Sequence, residues 1–449
     1  MFKKVLIANR GEIACRIAEV LKARGIPSVA IYSEADADAP HRHAADEAVC
    51  VGPPPVKDSY LDQDAILEAC ARLGVDAVHP GYGLLSENTG FCKRLTDAGI
   101  TFIGPTPEAI DAMGDKAKAR AIAAEAGVPV VPGSPGPVND DEAAAIAEEI
   151  GYPVLIKAAG GGGGIGMTVV KKPERLARGL ASCRDRGRSS FANPEVYLEK
   201  FVERPRHIEV QILADHHGHV VHLFERECTL QRRHQKVIEE APSPFASAHP
   251  ELRAGLTEAA VKLAQAIGYH NAGTVEFIVA PDGSFYFIEM NTRLQVEHPV
   301  TEAITGVDII GWQLDIAAGE ALTIQQDEVG IQGASIECRI YAEDPDRKFM
   351  PSPGHLTAFS PPEGEGVRVD AGYRADQTVT PYYDPMLAKL TVHHETREAA
   401  TARTQTALGD FQIEGVSNNV DFLRRVLDTE TFATADFDTT WLERFAKGK

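Results

Sequence analysis

The segment at residues 274–289 restricts the fold of this chain more than any other part of the sequence. Two runs rich in β-branched and aromatic residues flank Asp282-Gly283, a dipeptide typical of a two-residue hairpin turn. Such a turn fixes the strand register and places Glu276 directly opposite Glu289. Opposed carboxylates about 5 Å apart destabilise a sheet unless a cation neutralises them, and two carboxylates with substrate phosphates commonly hold Mg²⁺. The segment therefore predicts a metal site, whereas a five-residue loop over 280–284 would place the glutamates on opposite faces.

Polar residues continue at every second position after the hairpin. An extended chain would lay them along one face, in the order Glu289, Asn291, Arg293, Gln295 and Glu297. Phe285 and Phe287 share this parity upstream, which indicates a face that passes from the core into a cleft. A buried row of two acids, an arginine and two amides needs an ionic ligand to satisfy it. The alternative interpretation is a strand face in contact with water.

A glycine run lies between two apolar segments at residues 154–170. Six of the seven residues from Gly160 to Gly166 are glycines, so backbone N–H groups can approach a polyanion. Lys157 precedes the run and a strand is expected after it, which differs from a Walker A loop. We therefore predict a phosphate-binding flap between two strands, with a flexible linker as the alternative.

Three further segments carry candidate residues. Residues 207–212 alternate polar and apolar, as they would beside a nucleotide or beside water. The polar run at 231–236 contains four potential cations and predicts either a solvated turn or an anion site. The turn at 79–83 follows a buried strand, where open α/β sheets usually bind ligands, and Lys116 begins a helix that could reach a phosphate.

The order of the elements predicts an α/β protein with a doubly wound first domain. An apolar strand at 5–8, a helix from Gly11 and a strand at 28–32 form a βαβ opening, and no G-x-G-x-x-G fingerprint follows the first strand. The linker-like run at 132–137 predicts a hinge. We expect three domains: residues 1–114, residues 115–330 with a lid at about 132–202, and a mixed αβ domain at 331–449.

Composition narrows the classes of partner. The 449 residues carry a net charge of −20, which disfavours nucleic acid and anionic membrane surfaces. Seven cysteines without a C-x-x-C pair indicate reduced, mostly structural thiols. The N-terminal apolar run is too short for a signal or membrane segment, so a cytoplasmic location is expected.

Taken together, these segments resemble the biotin carboxylase family of ATP-grasp enzymes. The resemblance covers nearly the whole chain and also includes IANRGEI at 7–13, MGDK at 113–116, PRHIE at 205–209 and EHP at 297–299. It implies an ATP-dependent carbon–nitrogen ligase. ATP would phosphorylate bicarbonate to carboxyphosphate, and the CO₂ released from it would be captured by N1 of biotin.

The resemblance also implies roles for individual residues. Lys116, Lys157 and His207 would bind ATP phosphates, with Gly162, Gly163, Gly164 and Met167 in the flap; Glu199, Lys200 and Val202 the adenine; Gln231 and His234 the ribose side. Glu276, Glu289 and Asn291 would hold Mg²⁺ or Mn²⁺. Lys236, Arg293, Gln295 and Val296 would bind bicarbonate, with Glu297 as general base. Arg339 would stabilise the biotin enolate, and Tyr82 would lie near the biotin ring.

One position departs from the family pattern, and other functions are separate alternatives. Ile165 stands in the flap where relatives commonly carry a basic residue, and the loss of that charge is expected to weaken closure of the flap or alter regulation. No methionine adjoins a lysine, as the biotin attachment signal requires, so a separate biotin carboxyl carrier protein and carboxyltransferase subunits are expected. The family also implies a homodimer and, in an acetyl-CoA carboxylase, a role in fatty acid biosynthesis. The alternatives are another ATP-grasp ligase or a nucleotide-binding regulatory protein.

Overall fold

The structure is a computed structural model that describes residues 1–158, 167–191 and 193–448. The described chain divides into two compact units. The first comprises Met1–Val128, Arg206–Phe277 and the chain from Ile288 onward, and the second comprises Pro129–Pro205 and Ile278–Phe287. The three domain ranges expected from the sequence stay a prediction.

The N-terminal part of the first unit is a five-stranded parallel sheet with the order β3-β2-β1-β4-β5. The strand β1 is fully buried, as its continuous apolar run requires. The expected doubly wound opening is present. Its elements are β1 Val5–Ile7, α1 Gly11–Ala23, β2 Ser28–Ser33, α2 Pro40–Ala44, β3 Glu47–Gly52, α3 Gln63–Leu73, β4 Ala77–His79, α4 Thr89–Asp97, β5 Thr101–Phe102, α5 Pro107–Gly114 and α6 Lys116–Glu125.

The second unit contains a three-stranded antiparallel sheet in the order β7-β6-β8. Its elements are α7 Asp140–Ile150, β6 Val154–Ala158, β7 Met167–Val170, α8 Leu176–Phe191 and β8 Val196–Lys200. The strands on both sides of the glycine run are therefore confirmed. The run itself, with Gly162, Gly163, Gly164 and Ile165, lies outside the described residues.

The largest sheet has eight strands in the order β13-β12-β9-β10-β11-β14-β21-β19. The helix α10 was not expected within this strand-rich region, although Leu252, Leu256, Ala260 and Leu263 have helical spacing and are buried. The elements up to the last segment are β9 Arg206–Ala214, β10 Val220–Arg232, β11 Gln235–Ala241, α9 Pro244–Ala248, α10 Pro250–Ala266, β12 Asn271–Val279, β13 Phe285–Asn291, α11 His298–Thr305 and α12 Ile309–Ala317.

The C-terminal segment adds β14, β19 and β21 to this sheet. On β14 and β21, one set of alternate residues is apolar and belongs to a core that includes α13 and α14, with Ile336, Cys338 and Leu390 among its members. The other set is polar yet also buried. The elements are β14 Ala334–Tyr341, β15 Glu343–Asp344, β16 Met350–Pro351, β17 Gly354–His355, β18 Ala358–Ser360, β19 Val367–Ala371, β20 Thr378–Val379, β21 Met386–His394, α13 Arg397–Asp410, β22 Gln412–Glu414, α14 Val420–Leu427, α15 Glu430–Ala433 and α16 Trp441–Ala446.

The turn of the β12–β13 hairpin is longer than expected. The Ala280 N–H donates to the Ser284 carbonyl (2.8 Å), and the Gly283 N–H donates to the Ala280 carbonyl (3.0 Å). The predicted two-residue loop is therefore wrong. Proline has no N–H, so Pro281 cannot make the closing bond that such a loop needs, and the pairing moves back to Ala280.

Candidate active site

Lys236 lies at the centre of a buried cluster of acids in the first unit. Arg233 and His234 form the exposed turn between β10 and β11, both with positive φ, and Lys236 follows one residue into β11. Its ammonium contacts the carboxylates of Glu209, Glu276 (2.9 Å) and Glu297 (2.5 Å). Within the polar run, Arg233 and His234 therefore belong to an exposed turn, whereas Lys236 is a cation of the buried cluster.

Glu297 is the residue that precedes α11, and its side chain is fully buried. One carboxylate oxygen accepts from Lys236, and the other accepts from the Arg339 guanidinium at 2.9 Å. Burial alone would raise the pKa of Glu297, but Lys236, Arg339 and Arg226 hold it well below its ordinary value. The carboxylate is ionised and held by two cations.

Arg339 is oriented by a second acid, Glu239, that the sequence analysis did not identify. The Arg339 Nε donates to Glu239 at 2.6 Å. The Asn419 side chain holds the backbone that follows, because its amide donates to the Arg339 carbonyl and its oxygen accepts from the Tyr341 N–H. Burial raises the pKa of Glu239 to about 7, against the opposing effect of Arg339. No sequence signal pointed to Glu239, because residues three apart on a regular strand face opposite sides, and Glu239 reaches Arg339, which lies on the neighbouring strand β14.

Glu276 accepts hydrogen bonds from the residues predicted to surround it. The amides of Asn291 (2.9 Å) and Gln295 (3.0 Å) donate to one carboxylate oxygen, and the His207 Nε2 lies 3.1 Å from the other. The pKa of Glu276 is held well below its ordinary value, because Lys236 and His207 outweigh the effect of burial. His207 therefore lies beside this carboxylate, and Glu209, from the same alternating strand, lies close to both.

The side chains of the predicted polar row lie close together, but the backbone that carries them is not one continuous strand. The strand β13 ends at Asn291, and α11 begins at His298. The Arg293 guanidinium nevertheless donates to Asn291 (2.7 Å) and Gln295 (3.0 Å), and its Nε donates to Glu87 (2.9 Å). The extended conformation expected as far as Glu297 is wrong, while the grouping of these side chains is confirmed.

Glu289 shares its strand face with Asn291, because the two residues are two apart on β13. If side chains alternated strictly from the observed turn, Ile288 would lie opposite Glu276, and Glu289 would point to the other face of the sheet. The Asn291 amide nevertheless bonds to Glu276, so Asn291 and Glu276 share one face. Glu289 therefore lies on the face that carries Glu276. Its carboxylate pairs with Lys116 at 2.9 Å, and the Lys116 side chain is 81% exposed.

The donor set of Glu276, Glu289 and Asn291 fits a hard divalent cation. It offers two carboxylates and an amide oxygen, the ligand types that Mg²⁺ prefers. A second grouping of ligand atoms, from His207, Glu209 and Glu276, lies within 4.8 Å. The two sets share Glu276, and the Lys236 ammonium contacts both Glu276 and Glu209 directly.

The nucleotide-binding candidates of the second unit that the structure describes lie on its sheet or directly after it. The ammonium of Lys157 pairs with Glu199 on the neighbouring strand, and Met167 lies opposite Lys157 in the register. The Lys200 ammonium donates to the carbonyls of Gly151 (2.9 Å) and Tyr152 (3.1 Å). Val202 follows this strand and is half-buried.

Three further candidates of the first unit lie around the cluster. The Gln231 side chain lies 3.5 Å from His207 Nδ1, whereas His234 is exposed at the turn. Tyr82 follows β4, and its hydroxyl donates to Glu12. The Asn9 amide donates to the carbonyls of Pro80 (2.7 Å) and Tyr82 (2.8 Å), which holds this turn at the end of the parallel sheet.

In the part of the chain that the structure describes, none of the seven cysteines forms a disulfide, and five of them are buried. Cys228 lies beside Glu297, with its Sγ 3.9 Å from the carboxylate. Among the helices that the structure describes, none combines the length and the apolar character needed to cross a bilayer.

Comparison with known families accounts for most of the chain. Residues 1–110 match the biotin carboxylase N-terminal domain, residues 115–325 match the ATP binding domain of the carbamoyl-phosphate synthase L chain, and residues 337–444 match the biotin carboxylase C-terminal domain. The chain belongs to the biotin carboxylase family.

Individual members of the biotin carboxylase family match over their full length. The biotin carboxylase of Halalkalibacterium halodurans is 53% identical, over 100% of this chain and 99% of the relative, and biotin carboxylase 2 of Bacillus subtilis is 53% identical, over 99% and 100%. The solved biotin carboxylase of Campylobacter jejuni, in a complex with a β,γ-ATP ligand, has a TM-score of 0.91 and 44% identity over 99% of both chains. The predicted α/β ATP-grasp fold class is confirmed.

Proposed function

We propose that this chain is a biotin carboxylase, which uses ATP and Mg²⁺ to transfer the carboxyl group of bicarbonate to biotin on a separate carrier protein. The observation that carries this proposal is the buried Glu297 carboxylate between the Lys236 ammonium and the Arg339 guanidinium. Bicarbonate is a weak nucleophile that must lose a proton while a phosphoryl group acquires charge. A base with two cations beside it meets both needs.

The two cations also set the basicity of Glu297. While Lys236 and Arg339 neutralise Glu297, its pKa is held low and it accepts a proton poorly. If a bicarbonate oxygen pairs with Lys236 or Arg339 in place of Glu297, the Glu297 carboxylate loses part of this stabilisation. Its proton affinity then rises. Glu297 then becomes the general base when its substrate is bound. Arg293 and Gln295, which already bond to each other, and the backbone of Val296 complete the bicarbonate site.

Glu276, Glu289 and Asn291 would hold Mg²⁺, which neutralises charge on the phosphates when it is bound. Lys116, Lys157 and His207 would bind the phosphates, Glu199, Lys200 and Val202 the adenine, and Gln231 and His234 the ribose side. Gly162, Gly163, Gly164 and Met167 would cover the triphosphate and exclude water from carboxyphosphate. Arg339 would then stabilise the biotin enolate, with Tyr82 near the ring.

The final carboxyl acceptor is a separate question. Relatives include subunits named for methylcrotonoyl-CoA, pyruvate and propionyl-CoA carboxylases. We propose a carrier protein, carboxyltransferase subunits and a homodimer as partners; a structure of the 2-oxoglutarate carboxylase domain from Hydrogenobacter thermophilus is described as a dimer with MgADP and bicarbonate. A role in acetyl-CoA carboxylase and fatty acid biosynthesis, and a cytoplasmic location, stay predictions.

The test is ATP cleavage by the purified chain with Mg²⁺, in the presence and absence of bicarbonate and free biotin. We expect cleavage to require bicarbonate and to be accelerated by biotin, with carboxybiotin as a product. Cleavage that responds to neither would indicate another ATP-grasp ligase, and nucleotide binding without phosphate release would indicate a regulatory protein. Purification with a biotinylated protein, followed by identification of its carboxyltransferase, would identify the acceptor.

A further inference from the structure

Lys389 is a fully buried lysine that none of the roles above uses. It lies on β21, and its ammonium donates to the backbone carbonyl of Val296 at 2.7 Å. The Glu12 carboxylate lies 3.3 Å from the same ammonium, and the centroid of the Tyr82 ring lies 6.0 Å away. A single side chain thus contacts the start of α1 and the segment just before Glu297.

The surroundings of Lys389 keep it charged. Burial alone would lower the pKa of Lys389, but Glu12, Glu337 and Asp370 raise it above its ordinary value, against a smaller effect of Arg368. In the strand register, Lys389 lies directly between Arg339 on β14 and Asp370 on β19. A buried ammonium is costly unless it is paired, so this position is maintained by specific partners.

The bond to Val296 acts on the backbone of Glu297. The Val296 carbonyl belongs to the peptide group that joins Val296 to Glu297, and Glu297 is the residue that caps α11, with φ −82° and ψ 12°. A donor on this carbonyl fixes the plane of that peptide, and with it the direction in which the Glu297 side chain leaves the backbone. Without the donor, a buried carbonyl loses its partner and the peptide is free to turn.

Glu12, the carboxylate that contacts Lys389, is also held in place by its neighbours. A Cβ atom on Gly372 would lie 2.8 Å from the Glu12 backbone nitrogen, so the chain after β19 packs closely against the start of α1. The Tyr82 hydroxyl donates to Glu12 as well. Glu12 is therefore a fixed counter-ion rather than a mobile surface acid.

We propose that Lys389 is a positioning residue for the acid–base centre, which holds the Val296–Glu297 peptide so that the Glu297 carboxylate meets Lys236 and bicarbonate in a reactive geometry. This inference rests on the proposed function, because the base role of Glu297 belongs to it. Lys389 acts through the backbone of Glu297 and has no contact of its own with the substrate in this scheme.

The test compares Lys389→Met with a matched variant, Thr391→Val. Thr391 is buried on the same face of β21 two residues away, but its hydroxyl bonds to Glu337 at 3.0 Å instead of to the active-site segment. Steady-state bicarbonate-dependent ATP cleavage is measured at saturating free biotin, together with the melting temperature. We expect Lys389→Met to lower kcat/KM for bicarbonate roughly 10–100-fold, the size expected for a displaced catalytic group, with KM for ATP nearly unchanged.

Three further variants distinguish a positioning role from an effect on stability. Lys389→Met leaves Glu12 without its counter-ion, so its melting temperature should fall, and Glu12→Gln/Lys389→Met should recover that temperature but not kcat/KM for bicarbonate. Lys389→Arg retains a cationic donor and should recover part of the activity. The Glu12→Gln single variant corrects for any effect through Tyr82.

Other outcomes would overturn the proposal. If the double variant recovered activity and stability together, or if Thr391→Val lost as much bicarbonate kcat/KM as Lys389→Met, the role of Lys389 would be structural alone. A parent chain that cleaves ATP without any response to bicarbonate would refute the proposed function itself. The two failures are distinguishable, because the first requires an active parent.

Discussion

The charged side chains of the two units are held in different ways. In the first unit, Lys236, Glu297 and Arg339 are at most about a tenth exposed, and each contacts two or more oppositely charged groups. In the second unit, the Lys157 side chain is 37% exposed, and its one ion-pair partner among the described residues is Glu199. The chemical centre is organised before substrate arrives, whereas the nucleotide candidates of the second unit must exchange their present partners for the ligand. Substitutions in the first unit should therefore act on the rate, and those in the second unit on nucleotide affinity.

The largest effect is expected at Glu297. Glu297→Gln removes the base but keeps the shape of the side chain, so bicarbonate-dependent turnover should fall by about 10²–10⁴-fold, the range typical of lost general base catalysis. ATP binding, measured by equilibrium titration, should be retained. Glu302→Gln on the same helix is the control, because Glu302 pairs with Arg368 (2.7 Å) and lies outside the cluster. Equal turnover in Glu297→Gln and the parent would remove Glu297 from the base role.

A smaller effect, on metal dependence, is expected at Glu276. Glu276→Gln should raise the Mg²⁺ concentration for half-maximal activity at least about tenfold, since disturbing even a residue that supports a metal ligand has this cost. Glu209→Gln is the matched comparison, because Glu209 also contacts Lys236 but is absent from the proposed ligand set. If Glu209→Gln shifted the Mg²⁺ titration and Glu276→Gln did not, the metal ligands would be assigned to the wrong carboxylates.

The second unit should respond more weakly. Lys157→Met is expected to raise KM for ATP by roughly 3–10-fold with little change in kcat, because a half-exposed charge contributes about 1 kcal/mol to binding. Lys172→Met, at an exposed position of the same unit, should leave both constants unchanged. A loss of kcat in Lys157→Met comparable to that of Glu297→Gln would contradict the proposed division between the two units.

The smallest effect concerns stability and pH. Burial raises the pKa of Glu239 from the ordinary 4.5 to about 7. Between these values the folded protein binds more protons than the unfolded chain at this residue, so its contribution to stability falls as the pH rises. Glu239→Gln should remove this decline, which differential scanning calorimetry at pH 5 and pH 7 would measure as a change of a few degrees. Glu258→Gln, on an exposed glutamate, should keep the pH profile of the parent; an unchanged profile in Glu239→Gln would contradict the titration.

Sequence periodicity was sufficient to predict elements that are buried along their whole length or at alternate residues. The strand Val5–Ile7 and the strands on both sides of the glycine run have continuous apolar or alternating patterns, and the structure has them at these positions. The site residues at 276 and 289–297 were found because polar side chains at regular spacing interrupt an apolar region. Such patterns are local, so a single sequence is enough to detect them.

The remaining features depend on which side chains meet across the sheet. Glu209, Glu239 and Glu337 are fully buried acids, yet in the sequence each resembles an ordinary surface residue. Each of these acids is buried beside a hydrogen-bond donor: Lys236, Arg339 and Thr391, respectively. These donors come from other strands, far away in the sequence, so the pairs cannot be recognised from local spacing. The hairpin turn was predicted wrongly for a local reason, since the missing N–H of Pro281 outweighed the preference of Asp282-Gly283 for a two-residue loop.

The ion pair between Lys116 and Glu289 has a consequence for the order in which ligands arrive. In the proposed function, the Glu289 carboxylate would leave the Lys116 ammonium in order to hold Mg²⁺. The displaced ammonium then becomes available just as the triphosphate brings negative charge to the region. Under this assignment, Lys116 would first neutralise Glu289 and afterwards bind a phosphate, so we expect metal binding to precede the contact of this lysine with the nucleotide.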